Sequence, residues 1–206
     1  MSDEHNLPQP FDRLDPDPVR QFRNWLKDAQ QVGIAQPYAM TLATASGDNI
    51  PSARIVLLRG IEEDGFIFFT NYDSPKGQNL EENPFAALLF YWPELARQIR
   101  IGGAVAKLEA EASDRYFAGR PRGHQIEAHA SPQSRVISDR SELVGRFQAE
   151  EQKYEGKEVP RPGNWGGYRV VPESFEFWRE GESRLHERLR YQRNKQNSWV
   201  MEHLAP

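Results

Sequence analysis

The sequence predicts an α+β domain whose antiparallel sheet is curled strongly or closed into a barrel, with helices at its periphery. Two observations lead there. Strand-like runs follow one another between residues 38 and 110, joined by short turn-forming links, which suit hairpins rather than the long crossovers of parallel strands. Helical patterns are grouped after them, and strand-like pieces return near the C-terminus, where they can complete the early sheet. No internal repeat or domain boundary interrupts the 206 residues, a length that buries one sizeable core.

The elements read as follows. Residues 1–14 are polar and Pro-rich and are expected to be mobile, leaving 15–206 as a single domain. "DPVRQFRNWLKDAQQVG" is a helix: Asp17 caps it, Pro18 suits its first turn and Gly33 its stop. Val19, Phe22, Trp25, Leu26 and Ala29 form its apolar stripe. "YAMTLATA" and "PSARIVLLR" flank a hairpin-like "SGDN", and "GFIFFTN" follows a turn at "EEDG". "FAALLFYW" is continuously apolar and is expected to be covered on both faces. "ARQIRIGGAVAKLEA" is long, with Gly102 and Gly103 marking a bulge or sharp bend. "EASDRYFAGR", "GHQIEAHA" and "SELVGRFQAEEQKY" are helical, and "EGKEVPRPGNWGG" is a connector. "YRVV", "SFEFW" and "RLHERLRY" are the returning strands.

Composition narrows the chemistry. The chain has no Cys, so thiolate metal sites, disulfides and Cys nucleophiles are out. A formal net charge of −4 argues against a nucleic-acid binder. The N-terminal stretch lacks a signal pattern, and no apolar run reaches the length of a membrane span, so a cytoplasmic location away from membranes is expected. Dinucleotide, Walker, nucleophile-elbow and zinc-protease motifs are missing, and no metal site is expected.

What remains is a set of cationic groups at strand ends and turns. Arg54 and Arg59 bracket "RIVLLR"; Lys76 opens a helix in "NYDSPKG"; Tyr116, Arg120 and His124 fall within "YFAGRPRGH". Any one of these reads most simply as a solvated surface charge, but Arg54 lies inside an apolar strand. Five residues separate Arg54 from Arg59, so alternation sends them to opposite faces unless the strand bends. In "EFWREGESRLHER", Arg184, His186 and Arg188 recur at every second position, which on a strand places them on one face. His129 reads as a packing or surface histidine. Together these cations point to a phosphorylated small ligand, or two.

The ordered motifs "RIVLLR", "FFTNYDSPKG", "NPFAALLFYW", "RQIRI", "YFAGRPRG", "SPQS", "WGGYR", "EFWREGESRLHER" and the terminal "LAP" resemble the pyridoxine/pyridoxamine 5′-phosphate oxidases. The resemblance implies an antiparallel split β-barrel with peripheral helices, and a homodimer with shared active sites. It also implies FMN as cofactor, a phosphorylated substrate, and O2 reduced to H2O2. It implies that Arg54, Ile55, Val56, Leu57 and Leu58 run along FMN, with Phe69, Thr70, Lys76 and Gln98 also contacting it. Gln133, Ser134, Trp178 and Arg188 would reach the FMN of the neighbouring site. Arg59, Tyr116, Arg120 and His124 would bind the substrate phosphate, while Arg184, Leu185 and His186 hold the substrate, Arg184 and His186 as catalytic residues.

The chain also departs from that pattern. The family usually has Lys at Arg59, Arg at Pro75 and Ser at His124, and "HQIEAH" stands where "SQIGAW" is usual, putting Glu127 and His129 in place of Gly and Trp. The basic, Tyr-containing segment that covers the substrate has no counterpart in "MSDEHNLPQPFD". These departures admit an alternative, a related FMN oxidase for another ring such as a phenazine-pathway intermediate. A flavin- or pyridoxal-phosphate-binding protein without turnover is a third reading, which retention of Arg184 and His186 opposes.

Overall fold

The computed structural model describes residues 11–62 and 65–206. Its helices are α1 (Pro18–Gln31), α2 (Pro75–Glu82), α3 (Ala110–Ala118), α4 (Arg122–Ala130) and α5 (Arg140–Lys153). Its strands are β1 (Ala39–Ala45), β2 (Pro51–Leu57), β3 (Gly60–Glu62), β4 (Gly65–Asn71), β5 (Phe85–Trp92), β6 (Arg97–Lys107), β7 (Trp165–Arg179), β8 (Glu187–Arg193) and β9 (Trp199–His203). They form one sheet in the order β2-β1-β5-β6-β7-β4-β3, with β8 added to β7 and β9 to β8. Every pairing is antiparallel.

β7 is the spine. One edge of it pairs with β6 along most of its length; the other is divided, with Trp165–Val170 on β4 and Ser174–Arg179 on β8. The ladder to β6 slips between Gly102 and Gly103, beside Pro172. A Cβ on Gly103 would collide with the Val171 carbonyl, so only glycine lets the backbones pass this closely. At the far ends, β2 and β4 approach without forming a ladder, so the barrel stays split there. The chain itself crosses the gap: Leu58 N–H donates to the Tyr38 carbonyl, and Arg59 N–H donates to Ile67 on the opposite bank.

α1 fills the barrel. Asp17 caps it by accepting from Val19 and Arg20 N–H. Phe22 sits with its ring 4.9 Å from Phe66 and 4.8 Å from Phe90, and Trp25 packs edge-on to Phe177 at 5.1 Å. All five rings are buried, and losing one such side chain typically costs about 3–5 kcal/mol.

Several expectations change. Phe11 and Leu14 are buried in the core, so the packed domain reaches back into the segment expected to be mobile; residues 1–10 lie outside the described residues, as do Glu63 and Asp64 of the "EEDG" turn. β5 is covered on one face only: Ala86, Leu88, Phe90 and Trp92 point inward, while Phe85 and Tyr91 are exposed. A continuous apolar run conceals this alternation, because its outward side chains are apolar too. "YRVV" and "SFEFW" are one strand, since a proline beside the slipped register leaves no unmet donor. Arg184 and His186 do not lie on a strand. A turn precedes β8 in which Ser183 and Arg184 have φ of 54° and 64°, so Arg188 alone of the trio belongs to the sheet. β9 was not legible in the sequence.

Candidate active site

The split in the barrel opens as a cleft of about 730 Å³ between β2 and β4, walled on one side by α3 and the start of α4. Ile55, Val56 and Leu57 line one bank and Phe69 and Thr70 the other. Lys76 and Gln133 stand at one end; Arg59, Tyr116, Arg120 and His124 stand around the other.

The first end is a buried cation with neutral partners. Lys76 is 8% exposed and its Nζ donates to Thr70 Oγ1 (3.1 Å), Ser74 Oγ (2.9 Å) and Gln133 Oε1 (2.8 Å). Burial, then repulsion from Arg54, lowers its pKa from 10.5 to about 8. Arg54 lies behind it on the inward face of β2, opposite Leu42. Its guanidinium donates to the Leu42 carbonyl, Thr44 Oγ1 and Ser52 Oγ, and burial lowers its pKa also. Among the described residues no carboxylate forms a salt bridge with either group. Lys76 also stands in the first turn of α2, where unsatisfied N–H groups favour an anion. Two neighbouring positive groups, each bonded to neutral acceptors beside a cavity, suit a phosphate monoester.

The second end combines aromatic planes with cations. Tyr116 stacks on Phe69 at 3.7 Å, and Phe69 on Trp165 at 5.5 Å, all within 14° of parallel. Gly167 makes room for this, because a Cβ there would lie 2.8 Å from Phe69. The Arg120 guanidinium lies over Trp165 at 4.5 Å. Its Nη1 is buried without a hydrogen-bond partner among the described residues, and burial lowers its pKa. Arg59 stands where the chain crosses the split, and His124 occupies the first turn of α4.

The remaining candidates form a second group. Gln98, Trp178 and Arg188 face one another in a row across β6, β7 and β8. Arg188 is held by Glu176 (2.9 Å) and the Ala205 carbonyl (2.9 Å). His186 packs against Trp178, ring centroids 4.9 Å apart, and its Nδ1 accepts from Gly181 N–H at 3.3 Å. That acceptance leaves Nε2 as the ring's donor. Arg184 and Leu185 are exposed at the turn. This group shares the outward face of the sheet with Ile55. The row runs Ile55, Thr41, Leu89, Arg100, Glu176, and its four strand spacings span roughly 19 Å.

Comparison with known proteins decides the family. The description "Pyridoxamine 5'-phosphate oxidase" matches residues 26–154, and "Pyridoxine 5'-phosphate oxidase C-terminal dimerisation region" matches residues 165–206. The chain belongs to the pyridoxamine 5′-phosphate oxidase family. Named pyridoxine/pyridoxamine 5′-phosphate oxidases from Acaryochloris marina and Rubrobacter xylanophilus are 52% and 53% identical, over 92% and 88% of this chain and 86% and 84% of theirs. Among solved structures, PhzG from Burkholderia lata, in complex with tetrahydrophenazine-1-carboxylic acid, matches with a TM-score of 0.91 and 34% identity over 98% of both chains.

Within that family frame, the predicted residues divide. The cleft gathers Ile55, Val56, Leu57, Arg59, Phe69, Thr70, Lys76, Tyr116, Arg120, His124 and Gln133, with Arg54 behind it. Leu58 is buried in the core instead, because the chain turns inward as it crosses the split. Gln133 was assigned to the neighbouring site, yet it bonds Lys76 and Thr70 of its own chain. The loop after α4 folds back over β4 and delivers it there, a long-range contact that motif order does not encode. Ser134 follows it, exposed, with φ of 66°. Trp165 lines the cleft and was missed as a site residue, although it opens the "WGGYR" motif. His129 is a packing histidine: Nε2 donates to the Pro160 carbonyl at 2.7 Å.

Proposed function

We propose that the protein is an FMN-dependent oxidase that converts pyridoxine 5′-phosphate or pyridoxamine 5′-phosphate to pyridoxal 5′-phosphate. It acts as a homodimer with shared active sites. Pyridoxine 5′-phosphate plus O2 gives pyridoxal 5′-phosphate plus H2O2; the amine form also takes up water and releases ammonia. The observation that carries this reading is one cleft with two cationic ends separated by an aromatic wall. Two phosphates need two such ends.

The residues fit the cofactor on electrostatic grounds. Among the described residues, Lys76 and Arg54 carry charge matched by neutral acceptors alone, which a ribityl phosphate would balance. Ile55 to Leu57 supply the apolar bank for its ring system. When bound, the flavin supplies hydride acceptance from substrate C4′ and transfer of the electrons to O2. This chain's residues supply placement. Arg120, Arg59, Tyr116 and His124 hold the substrate phosphate, and Phe69 with Tyr116 bounds the cleft. Arg184 and His186 hold the ring from the second copy, His186 through its Nε2–H. Separation of the two groups within one chain supports sharing, since neither is a whole site. The exposed Ile55, Phe85 and Tyr91 supply apolar surface for the second copy. A phosphorylated substrate does not cross bilayers unaided, so the reading places the enzyme with it in the cytoplasm.

The deciding experiment compares kcat/KM for pyridoxine 5′-phosphate and pyridoxine by peroxide release. A large preference for the phosphate ester supports the reading. Equal turnover, or none, transfers support to an oxidase for another ring, which the structural match to PhzG also favours.

A further inference from the structure

We propose that Glu127 sets the charge of the cleft's second anionic subsite by competing with the bound anion for Arg120, and so determines how strongly a phosphate ester is preferred. The inference rests on the phosphate reading of that subsite given above.

Arg120 is fixed in place by aromatic faces, with Trp165 at 4.5 Å and Phe117 at 5.5 Å. Its Nη1 has no hydrogen-bond partner among the described residues. The carboxylate that forms an ion pair with it is Glu127, at 4.0 Å, with side chains 17% and 53% exposed respectively. That separation is too long for a hydrogen bond, so the pair is a loose electrostatic one that an incoming acceptor can displace. The other groups around Arg120 are cations or neutral donors: Arg59, Arg115, His124 and Tyr116. Among the described residues, Glu127 is therefore the carboxylate paired with the subsite's Arg120, beside the residues that line the cleft. It is one helical turn beyond His124 on α4, on the same face.

The consequences follow from Coulomb's law. Before an anion binds, Glu127 partly offsets Arg120. Once a dianion arrives, Glu127 repels it, more strongly than it would a monoanion and not at all for an uncharged group. Glu127 thus acts through Arg120 and through the field, as a positioning and tuning residue rather than a catalytic one.

The test is a charge series on the FMN-loaded protein: Glu127→Asp, Glu127→Gln and Glu127→Lys. Binding of pyridoxal 5′-phosphate and of pyridoxal is measured by titration calorimetry at 20 mM and 500 mM salt. For a half-exposed pair, Glu127→Gln should tighten pyridoxal 5′-phosphate by about two- to fivefold at low salt. Glu127→Lys should exceed that, Glu127→Asp should stay near wild type, and high salt should compress the series. Pyridoxal affinity should not move. Loss of a structural role would shift both ligands together, which overturns the inference. An unchanged Glu127→Gln with a clear wild-type preference for the phosphate overturns it while leaving the proposed function standing. Equal wild-type affinity for both ligands overturns both.

Discussion

Lys76 offers the sharpest test of the cleft, because stability and binding should respond in opposite directions. Its ammonium is buried among neutral acceptors beside Arg54, and the fall of its pKa from 10.5 to about 8 corresponds to about 3 kcal/mol of destabilisation while it is charged. Replacing it in Lys76→Met removes that burden. Ser74, Thr70 and Gln133 each lose the ammonium as a donor, which returns about 1–2 kcal/mol, while the Thr70 hydroxyl still donates to Gln133 Oε1. The FMN-free variant should therefore be more stable than wild type at pH 7 by about 1–2 kcal/mol, or roughly 2–8 °C in Tm for a domain of this size. FMN affinity should fall tenfold or more, as a charge-assisted phosphate contact is lost. The pH dependence has a definite sign. Below pH 8 the lysine is protonated folded or unfolded, and the full destabilisation is present. Between pH 8 and 10.5 the unfolded chain binds the proton and the folded one does not, so wild-type stability climbs relative to the variant. By pH 9.5 the residual burden is about 1.4 kcal/mol and the variant's advantage disappears. Scanning calorimetry of FMN-free protein at pH 7 and 9.5 measures this directly. A variant that is less stable than wild type by the same amount at both pH values would refute the argument.

Arg184→Ala and His186→Ala should leave FMN bound but slow its anaerobic bleaching by substrate, on the order of a hundredfold for a misplacement of about 1 Å; stopped-flow absorbance reads that step, and unchanged rates in both variants remove them from it. Arg120→Ala should reduce kcat/KM for pyridoxine 5′-phosphate by the equivalent of about 2–4 kcal/mol and leave pyridoxine almost untouched; an equal loss on both substrates would mean that Arg120 only supports the Trp165 stack.

Much of this architecture was readable because its determinants are local. Asp17, Pro18 and Gly33 punctuate α1, and Gly102 with Gly103 announce the bulge, each through backbone preferences that need no neighbour. Alternation failed where both faces are apolar, as in β5, whose outward Phe85 and Tyr91 reflect a surface suited to a partner rather than to water. It failed again at Arg184 and His186, because a two-residue period cannot distinguish a strand from a left-handed turn that enters one. The cleft residues were identified by motif, and Arg59, Tyr116, Arg120 and His124 were grouped as they stand, but the place of Gln133 was not read. That Gln133 belongs with Lys76 and Thr70 depends on how the loop after α4 returns across β4, a matter of tertiary path. Trp165 reads from sequence as connector, and only the stack with Phe69 and Arg120 reveals its place.

The spine strand β7 carries Trp165 at its first position and Trp178 near its last, one in the cleft and one in the row with Gln98 and Arg188. On the shared-site reading proposed above, each chain holds two unlike halves, and a two-fold pair assembles two whole sites, each from both chains. This makes the damage in two different variants separable by mixing. An Arg120→Ala chain keeps its His186 half sound, and a His186→Ala chain keeps its cleft half sound. When the two are unfolded together and re-paired at random, half of the dimers are hybrids, and each hybrid has one site made from two sound halves and one from two damaged ones. Two preparations with little activity of their own should recover about one quarter of wild-type turnover on mixing. A site built within one chain would recover nothing.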